Sequence, residues 1–210
     1  MNKIFEILNK YYGYNSFRKG QYEIISNILR GRDSFCILPT GAGKSICYQI
    51  PALMFNGITI VISPLISLMK DQVDNLNSNG INARYINSTQ KLELSDEIIE
   101  LCKKGEVKLL YIAPEKLENE FFKRKLRLLN ISQIAIDEAH CVSMWGHDFR
   151  KSYGLIAEFI DNLRIRPVVT AFTATATEVV RKDVINLLKL RNPYIYIGSF
   201  DRENLEIKLY

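Results

Sequence analysis

The segment 38–45, Leu-Pro-Thr-Gly-Ala-Gly-Lys-Ser, constrains the fold more than any other part of the sequence. It follows a short apolar run and leads into an apolar segment that we predict to be helical. A strand, a glycine loop and a helix in this order bring backbone N–H groups and a helix N-terminus to one point, which stabilises a phosphate group. Gly41 and Gly43 permit the tight backbone path, while the general pattern places Lys44 at the β- and γ-phosphates and the Ser45 hydroxyl on Mg²⁺. The sequence departs from this pattern at Leu38, where the leading glycine is expected.

The rest of the chain alternates short apolar runs with segments of helical period, which predicts an α/β fold. Several runs are apolar almost throughout, as strands are when both faces are buried, so we expect a mostly parallel central sheet flanked by helices. With 210 residues, of which 47% are hydrophobic, the chain can form one large domain with a buried core. The predicted strands are 34–38, 58–63, 83–87, 108–113, 133–137, 168–173 and 194–199. Besides the helix after the glycine loop, helices are predicted at 3–12, 17–29, 65–76 and 179–188.

Two adjacent carboxylates stand at the end of an apolar strand, where residues 134–136 run directly into Asp137-Glu138-Ala139-His140. The carboxyl ends of parallel strands form the ligand-binding edge of α/β sheets, so these residues lie beside the phosphate loop if the two strands are neighbours. Because hydrolysis needs a metal clamp and a nucleophile, we expect Asp137 to hold Mg²⁺ with Ser45, and Glu138 to orient and deprotonate the attacking water. His140 is either a further catalytic base or, as we favour, a hydrogen-bonded relay beside the site.

Composition disfavours several other classes of protein. The 28 Lys and Arg exceed the 23 Asp and Glu, and the formal charge of +5 permits nucleic-acid binding without implying it. No C-x-x-C pair occurs, so a disulfide framework or a zinc site is disfavoured. The sequence has no apolar stretch of bilayer length and no secretion signal at its start, and we expect an intracellular protein without membrane contact.

The order of the motifs carries a family resemblance. Segments 40–45, 137–140 and 173–175 resemble the ordered motifs of superfamily 2 helicases. Segments 45–52, 63–72 and 141–150 resemble those of the RecQ family of DNA helicases, and the similarity extends over 14–205. This resemblance implies a RecA-like P-loop NTPase domain with ATP and Mg²⁺ as ligands, the first motor lobe of an enzyme that moves 3′ to 5′ on single-stranded DNA.

The resemblance also assigns nucleotide contacts. Tyr14, Phe17, Arg18 and Gln21 match the RecQ adenine-recognition motif, in which an aromatic ring stacks on the base and a Gln amide reads its edge. For Phe17 we favour a place in the core, because it leads the apolar face of a helix. The other expected nucleotide-binding residues are Thr40, Gly41, Ala42, Gly43, Lys44 and Ser45.

DNA contacts are expected from two segments. Ser63, Lys70 and Gln72 lie at and after the end of the second predicted strand, where the family grips the DNA backbone, although Lys70 is equally well explained as a solvated charge. The aromatic loop 145–150 directly follows the acidic strand end. The rings of its Trp145 and Phe149 can stack on single-stranded bases while Arg150 meets a phosphate, which in the family couples DNA binding to hydrolysis.

Thr173 and Thr175 resemble the motif that links hydrolysis to movement between two motor lobes. We therefore divide the chain into a helicase ATP-binding lobe at 1–200, with N-terminal helices and the adenine motif at 1–30, and the start of a linker at 201–210. Two departures from the family pattern are the Lys151-Ser152 pair, where Pro-Glu is usual, and Glu203, where Pro is usual.

Because the 210 residues include no second lobe with its arginine finger, we expect this lobe alone to be nearly inactive. The expected partners are single-stranded DNA, tailed duplex DNA and a second RecA-like lobe. We expect the protein in the cytoplasm with the nucleoid if it is bacterial, and in the nucleus if it is eukaryotic. Two alternatives stay open: a superfamily 2 RNA helicase lobe and a nucleic-acid-binding module that does not hydrolyse ATP.

Overall fold

Seven strands form one sheet at the centre of the structure, a computed structural model that describes residues 3–198. The strands are β1 (Ser34–Ile37), β2 (Ile58–Ile62), β3 (Ala83–Ile86), β4 (Leu109–Ile112), β5 (Ile131–Ile136), β6 (Val168–Thr173) and β7 (Tyr194–Ile197). Their order is β3-β4-β2-β5-β6-β1-β7, and every pairing is parallel. The predicted α/β fold with a parallel central sheet is confirmed.

Helices cover both faces of this sheet. They are α1 (Lys3–Tyr12), α2 (Gln21–Leu29), α3 (Lys44–Met54), α4 (Ile66–Ser78), α5 (Leu92–Lys103), α6 (Glu120–Leu126), α7 (Leu155–Asp161) and α8 (Glu178–Leu187). Three 3₁₀ turns, Pro114–Glu118, Ala139–Val142 and Lys151–Gly154, link strands to helices. Within residues 3–198, no helix is both long and apolar enough to cross a membrane. The predicted linker at 201–210 lies outside the described residues.

The helix predicted at 17–29 starts later than expected. Gly20 precedes Gln21 in the left-handed conformation, with φ of 85°, which L side chains rarely adopt. A Cβ at Gly20 would also overlap the ring of Tyr196 on β7. Phe17 therefore lies outside α2 and does not lead its apolar face, so the reason given for placing it in the core is wrong. It is half-buried against Phe5 and Tyr22 and packs against the cluster that holds α1.

The core has two layers because alternate strand residues point to opposite faces. On β1, Phe35 and Ile37 pack with α5, α6, α7 and α8, whereas Cys36 packs with α2, α3 and α4. A smaller cluster, which includes Leu8 and Ile25, attaches α1 to the outer surface of α2 and α3.

Two buried polar residues, Gln133 and Asp33, hold neighbouring strands of the sheet in register. Gln133 on β5 accepts a hydrogen bond from Thr59 on β2 at 3.3 Å and donates one to Thr170 on β6 at 3.2 Å. Asp33, only 2% exposed, binds both terminal nitrogens of Arg166, at 3.1 and 2.6 Å, and accepts the backbone N–H groups of 169 and 191. A shifted strand register would leave these groups unpaired in the interior, which is costly.

The strand order changes one expectation about the site. Strands β1 and β5, which precede the phosphate loop and the acidic residues, are not neighbours, because β6 lies between them. Thr173, the last residue of β6, therefore stands between the phosphate loop and Asp137. Its carbonyl accepts the Leu38 N–H at 3.0 Å, where β1 turns into the loop.

Candidate functional site

The phosphate loop has the open backbone that its glycines predict. Gly41 and Gly43 adopt φ of 82° and 80°, and Gly43 immediately precedes α3. A Cβ at Gly43 would overlap the side-chain nitrogen of Gln21, whereas Gly41 faces open space. In the structure, Nζ of Lys44 donates to the carbonyl of Leu38 at 3.3 Å, so the lysine lies across the loop.

Arg18 and Gln21 support this loop from outside. The buried Gln21 side chain donates to the carbonyls of Ala42 at 3.3 Å and Gly43 at 3.1 Å, and it accepts the Arg18 backbone N–H at 2.9 Å. The Arg18 guanidinium donates to the carbonyl of Gly41. Arg18 and Gln21 also line a cavity next to the phosphate loop. Tyr14, whose ring is half-exposed, lines the same cavity. Recognition of the adenine edge by Gln21 stays a prediction. To donate to the base, the Gln21 amide would have to give up a hydrogen bond to one of the loop carbonyls.

One cavity of about 400 Å³ brings together the two motifs that the sequence singles out. Its wall includes Lys44 and Ser45 from the loop, Asp137 and Glu138 from the end of β5, and Gln72 from α4. Although β6 separates the parent strands, the loop and the acidic residues therefore face the same space. Thr40, Gly41 and Gly43 also line this cavity, but Ala42 does not.

The two acidic side chains differ electrostatically. Burial, with a contribution from nearby Glu138, raises the pKa of Asp137 to about 6. In contrast, a hydrogen bond from His140 holds the pKa of Glu138 below its ordinary value. Glu138 itself has a left-handed backbone, with φ of 47°, which is unusual for a residue with a Cβ. Because such strain concentrates at functional sites, it supports a specific role for this position.

His140 connects Glu138 to Thr173. Its Nδ1 lies 2.8 Å from Oγ1 of Thr173 and 3.3 Å from Oε2 of Glu138. Since the Thr173 hydroxyl donates to the carbonyl of Thr175 at 3.0 Å, it accepts from His140, and Nδ1 carries the proton. The His140 ring is buried and stacks on His147, with centroids 4.1 Å apart. This position fits the favoured relay, and a further base role for His140 is untested.

The oxygen ligands in the cavity fit Mg²⁺. The Ser45 hydroxyl and the Asp137 carboxylate line the same space, and Mg²⁺ prefers oxygen ligands, of which the protein usually supplies one or two. Within residues 3–198, no group of three or more His, Cys, Asp or Glu side chains is arranged to hold a metal ion. All four cysteines, Cys36, Cys47, Cys102 and Cys141, are buried and free.

The loop after the acidic strand end presents its aromatic rings to solvent. Trp145 is 77% exposed and Phe149 42%, although large apolar side chains usually pack in the core. Arg150 has protein partners in this structure: Nη1 donates to the carbonyl of Pro64 at 3.2 Å, and Nη2 to Asp148 at 3.3 Å. Its Nε is buried, and no acceptor in the described part of the chain reaches it. A phosphate contact by Arg150 stays a prediction.

The three residues expected to hold the DNA backbone do not share one surface. Lys70 is exposed, whereas Ser63 is buried and its hydroxyl has no hydrogen-bond partner among residues 3–198. The Gln72 side chain points inward, where its Oε1 accepts the hydroxyls of Tyr48 and Tyr111, both at 2.9 Å. The structure therefore assigns Gln72 an internal contact that the sequence reasoning did not anticipate.

Other residues of the site were also missed. Gln49 completes the Gln72 cluster by donating to the Tyr111 hydroxyl at 3.1 Å and accepting from Tyr12 at 3.0 Å. Tyr153 donates to the carbonyl of Asp137 at 3.0 Å and so supports the acidic turn from behind. The sequence signal for these residues is a polar side chain within a mainly apolar segment. Their hydrogen-bond partners lie on other helices and strands, and residue spacing does not predict which residues meet there.

Comparison with known proteins places the chain in a family. A family model described as DEAD/DEAH box helicase matches residues 18–183. The chain belongs to the DEAD/DEAH box helicase family. The ATP-dependent DNA helicases RecQ of Bacillus subtilis (strain 168) and Pasteurella multocida (strain Pm70) are 52% and 48% identical to it over 204 residues. The predicted resemblance to RecQ helicases is confirmed.

Each alignment covers 97% of this DEAD/DEAH box helicase chain but only 34% and 32% of the two RecQ proteins, so the chain spans about a third of their length. Among solved structures, the helicase MrfA bound to DNA and AMPPNP superposes with a TM-score of 0.77. That alignment covers 95% of this chain and 29% of MrfA, and at 19% identity it shows the fold alone.

Proposed function

We propose that this chain is the ATP-binding motor lobe of a RecQ-type 3′ to 5′ DNA helicase, which couples ATP hydrolysis to translocation on single-stranded DNA and to duplex unwinding. The observation that carries the proposal is the single cavity shared by the phosphate loop and the acidic strand end, with the exposed aromatic loop directly after it. The identity of 48–52% to two RecQ helicases supports DNA as the polymer. The proposal places the protein with cellular DNA, in the bacterial cytoplasm or the eukaryotic nucleus.

In this proposal the loop amides and Lys44 hold the phosphates of ATP, and Tyr14 and Arg18 flank the base at the other end of the cavity. Ser45 and Asp137 are the ligands that would hold Mg²⁺, which neutralises charge on the β- and γ-phosphates when bound. Glu138 accepts a hydrogen bond from the attacking water. Because the pKa of Glu138 is lowered, its carboxylate is a weak base that orients this water more than it deprotonates it.

We further propose that fast turnover requires a second RecA-like lobe. Within the described residues, Lys44 and Arg18 are the cations that line the cavity, and Arg18 already binds the carbonyl of Gly41. An additional arginine at the transferred phosphoryl group is worth about 10³ to 10⁵ in rate where such residues occur. A longer chain with a second lobe should therefore hydrolyse ATP and unwind DNA far faster than these 210 residues.

The decisive experiment measures steady-state ATP hydrolysis by a two-lobe protein with single-stranded DNA, single-stranded RNA or no polymer. We expect DNA to stimulate hydrolysis more than RNA does, and Glu138→Gln to abolish hydrolysis while fluorescent ATP still binds. Duplexes with a 3′ or a 5′ tail then test the direction of unwinding. Equal stimulation by RNA would support the RNA helicase alternative, and wild-type protein that binds ATP without turnover would support the non-hydrolysing module.

A further inference from the structure

The amino ends of β2, β4 and β5 form a surface at the sheet edge opposite the nucleotide cavity. The turn 128–130, between α6 and β5, lies at its centre with a cleft on each side. One cleft, of about 310 Å³, lies between this turn and residues 163–165. The other, of about 280 Å³, lies between the turn and residues 56–58, 102–105, 107 and 108. We call the turn and its two clefts the amino-edge surface.

Large aliphatic side chains stand exposed on this surface. Leu128 is 72% exposed and lines both clefts, and Ile165 is 75% exposed and lines the first. A single exposed aliphatic residue needs no explanation, but two that flank one concave surface are typical of a site that another molecule covers.

All charged side chains that line the two clefts are basic: Arg127, Arg164, Lys103, Lys104 and Lys108. Part of this charge is compensated, since Lys103 pairs with Glu100 at 2.6 Å and Arg127 lies 4.0 Å from Glu120. In contrast, Lys104 and Arg164 are exposed, and neither has an ion pair among residues 3–198. The Nε of Arg127 is buried and has no acceptor among the residues that the structure describes. The surface therefore combines uncompensated cations, an unused donor and exposed aliphatic groups.

We propose that the amino-edge surface binds an acidic segment of a partner protein that carries a large apolar side chain among its carboxylates. The carboxylates would meet Lys104 and Arg164, and the apolar side chain would pack against Leu128 and Ile165. A nucleic acid fits this surface less well, because no aromatic side chain from the described part of the chain lines either cleft to stack on a base. The six residues of β5 separate the surface from Asp137 by about 20 Å, and the surface shares no lining residue with the nucleotide cavity among residues 3–198.

The test uses an array of labelled peptides in which aspartates flank one leucine or phenylalanine at varied positions, with binding followed by fluorescence polarisation. We expect at least one peptide to bind at low salt, and added salt to weaken it because the cations are exposed. Replacement of its apolar residue by serine should reduce affinity about tenfold, as expected for burial of one large apolar side chain. Replacement of aspartate by asparagine should abolish binding.

Matched variants of the protein locate the site. Leu128→Ser should weaken peptide binding about tenfold, and Lys104→Glu with Arg164→Glu should weaken it further. Leu92→Ser is the matched control, because Leu92 is 69% exposed and lies about 17 Å away at the other end of α5. Lys91→Glu is the corresponding charge control. Both controls should bind as the wild type does, and all four variants should unfold at the wild-type temperature.

Four results would overturn the proposal. The first is that no peptide of the array binds at low salt. The second is that peptides bind equally well with serine in place of the apolar residue, which would indicate unspecific charge attraction. The third is that Leu128→Ser weakens binding of a single-stranded oligonucleotide but not of the peptide. The fourth is concentration-dependent dimerisation in sedimentation velocity that Leu128→Ser abolishes, which would make a second copy of this chain the occupant.

Discussion

Replacement of Gln72 by leucine separates an internal structural role from the predicted contact with DNA. Gln72 Oε1 accepts hydrogen bonds from the hydroxyls of Tyr48 and Tyr111, and both tyrosines are fully buried. Burial raises the pKa of both phenols, so each keeps its proton and needs an acceptor. Leucine fills a similar volume without an acceptor. The two hydroxyls also hydrogen-bond each other, so the substitution leaves one buried donor unpaired, which costs about 1–3 kcal/mol.

The expected loss in the free energy of unfolding is about 1–3 kcal/mol, towards the lower part of that range because Gln72 is partly exposed and water can replace some of the contact. Urea denaturation of the nucleotide-free protein measures it, and Lys70→Ala, two positions earlier on the exposed side of α4, is the control that should leave stability unchanged. Tyr111→Phe combined with Gln72→Leu should cost less than the sum of the two, since each removes the same hydrogen bond. A Gln72→Leu protein within about 0.5 kcal/mol of the wild type, with weakened DNA binding, would refute the internal role and favour the contact with DNA.

Three further predictions concern the metal ligand, the aromatic loop and the edge of the sheet. Because the pKa of Asp137 is raised to about 6, protons should compete with Mg²⁺ below that pH, and Mg²⁺-dependent ATP affinity should fall up to about tenfold per pH unit. Isothermal titration at a series of pH values checks this, and in Asp137→Asn the dependence should disappear. Trp145→Ala should weaken single-stranded DNA binding by about 1–3 kcal/mol in a fluorescence anisotropy titration. It should leave the unfolding temperature unchanged, because the ring is 77% exposed, and a loss of stability would place the ring in the core. Asp33→Ala should cost about 3–5 kcal/mol in urea denaturation, since it leaves the Arg166 charge without its carboxylate and two backbone N–H groups without an acceptor. Asp161→Ala, which breaks only the exposed pair with Lys189, should cost less than about 1 kcal/mol.

The sequence predicts the sheet better than the helices that cover it. The predicted strand 168–173 has the observed bounds, and the strand predicted at 133–137 begins two residues earlier, at Ile131. Such apolar, β-branched runs are recognisable because strands in this sheet are buried on both faces. Helices α5, α6 and α7 were not predicted; two of them have only seven residues, too few for a helical period to be distinct. The late start of α2 follows the left-handed Gly20, where a Cβ would overlap the ring of Tyr196, a residue remote in the sequence.

Local motifs predict the site where neighbours in sequence are also neighbours in space. The glycine loop and the pair Asp137 and Glu138 line the predicted cavity because each follows a parallel strand directly. The roles of Gln21 and Gln72 could not be predicted in this way. A glutamine can bind a base, a phosphate or its own protein, and only the fold shows that Gln21 binds the loop carbonyls and Gln72 binds two buried tyrosines.

The position of β6 gives a physical reason for the predicted role of Thr173 in linking ATP hydrolysis to movement between lobes. Its carbonyl binds the backbone at the start of the phosphate loop, and its hydroxyl binds His140, which in turn binds Glu138. Any movement of the loop around a γ-phosphate therefore changes the geometry of a hydroxyl that already has three partners: His140, the Thr175 carbonyl and the Thr175 N–H. A serine at this position would preserve the hydroxyl, whereas valine would preserve the shape but leave the Nδ1 proton of His140 with Glu138 alone. If Thr173 transmits the state of the nucleotide, Thr173→Val should reduce the stimulation of ATP hydrolysis by DNA in a two-lobe protein, with ATP affinity nearly unchanged and Thr173→Ser close to the wild type. Equal loss of ATP affinity and of stimulation in the valine variant would instead show that Thr173 only supports the shape of the cavity.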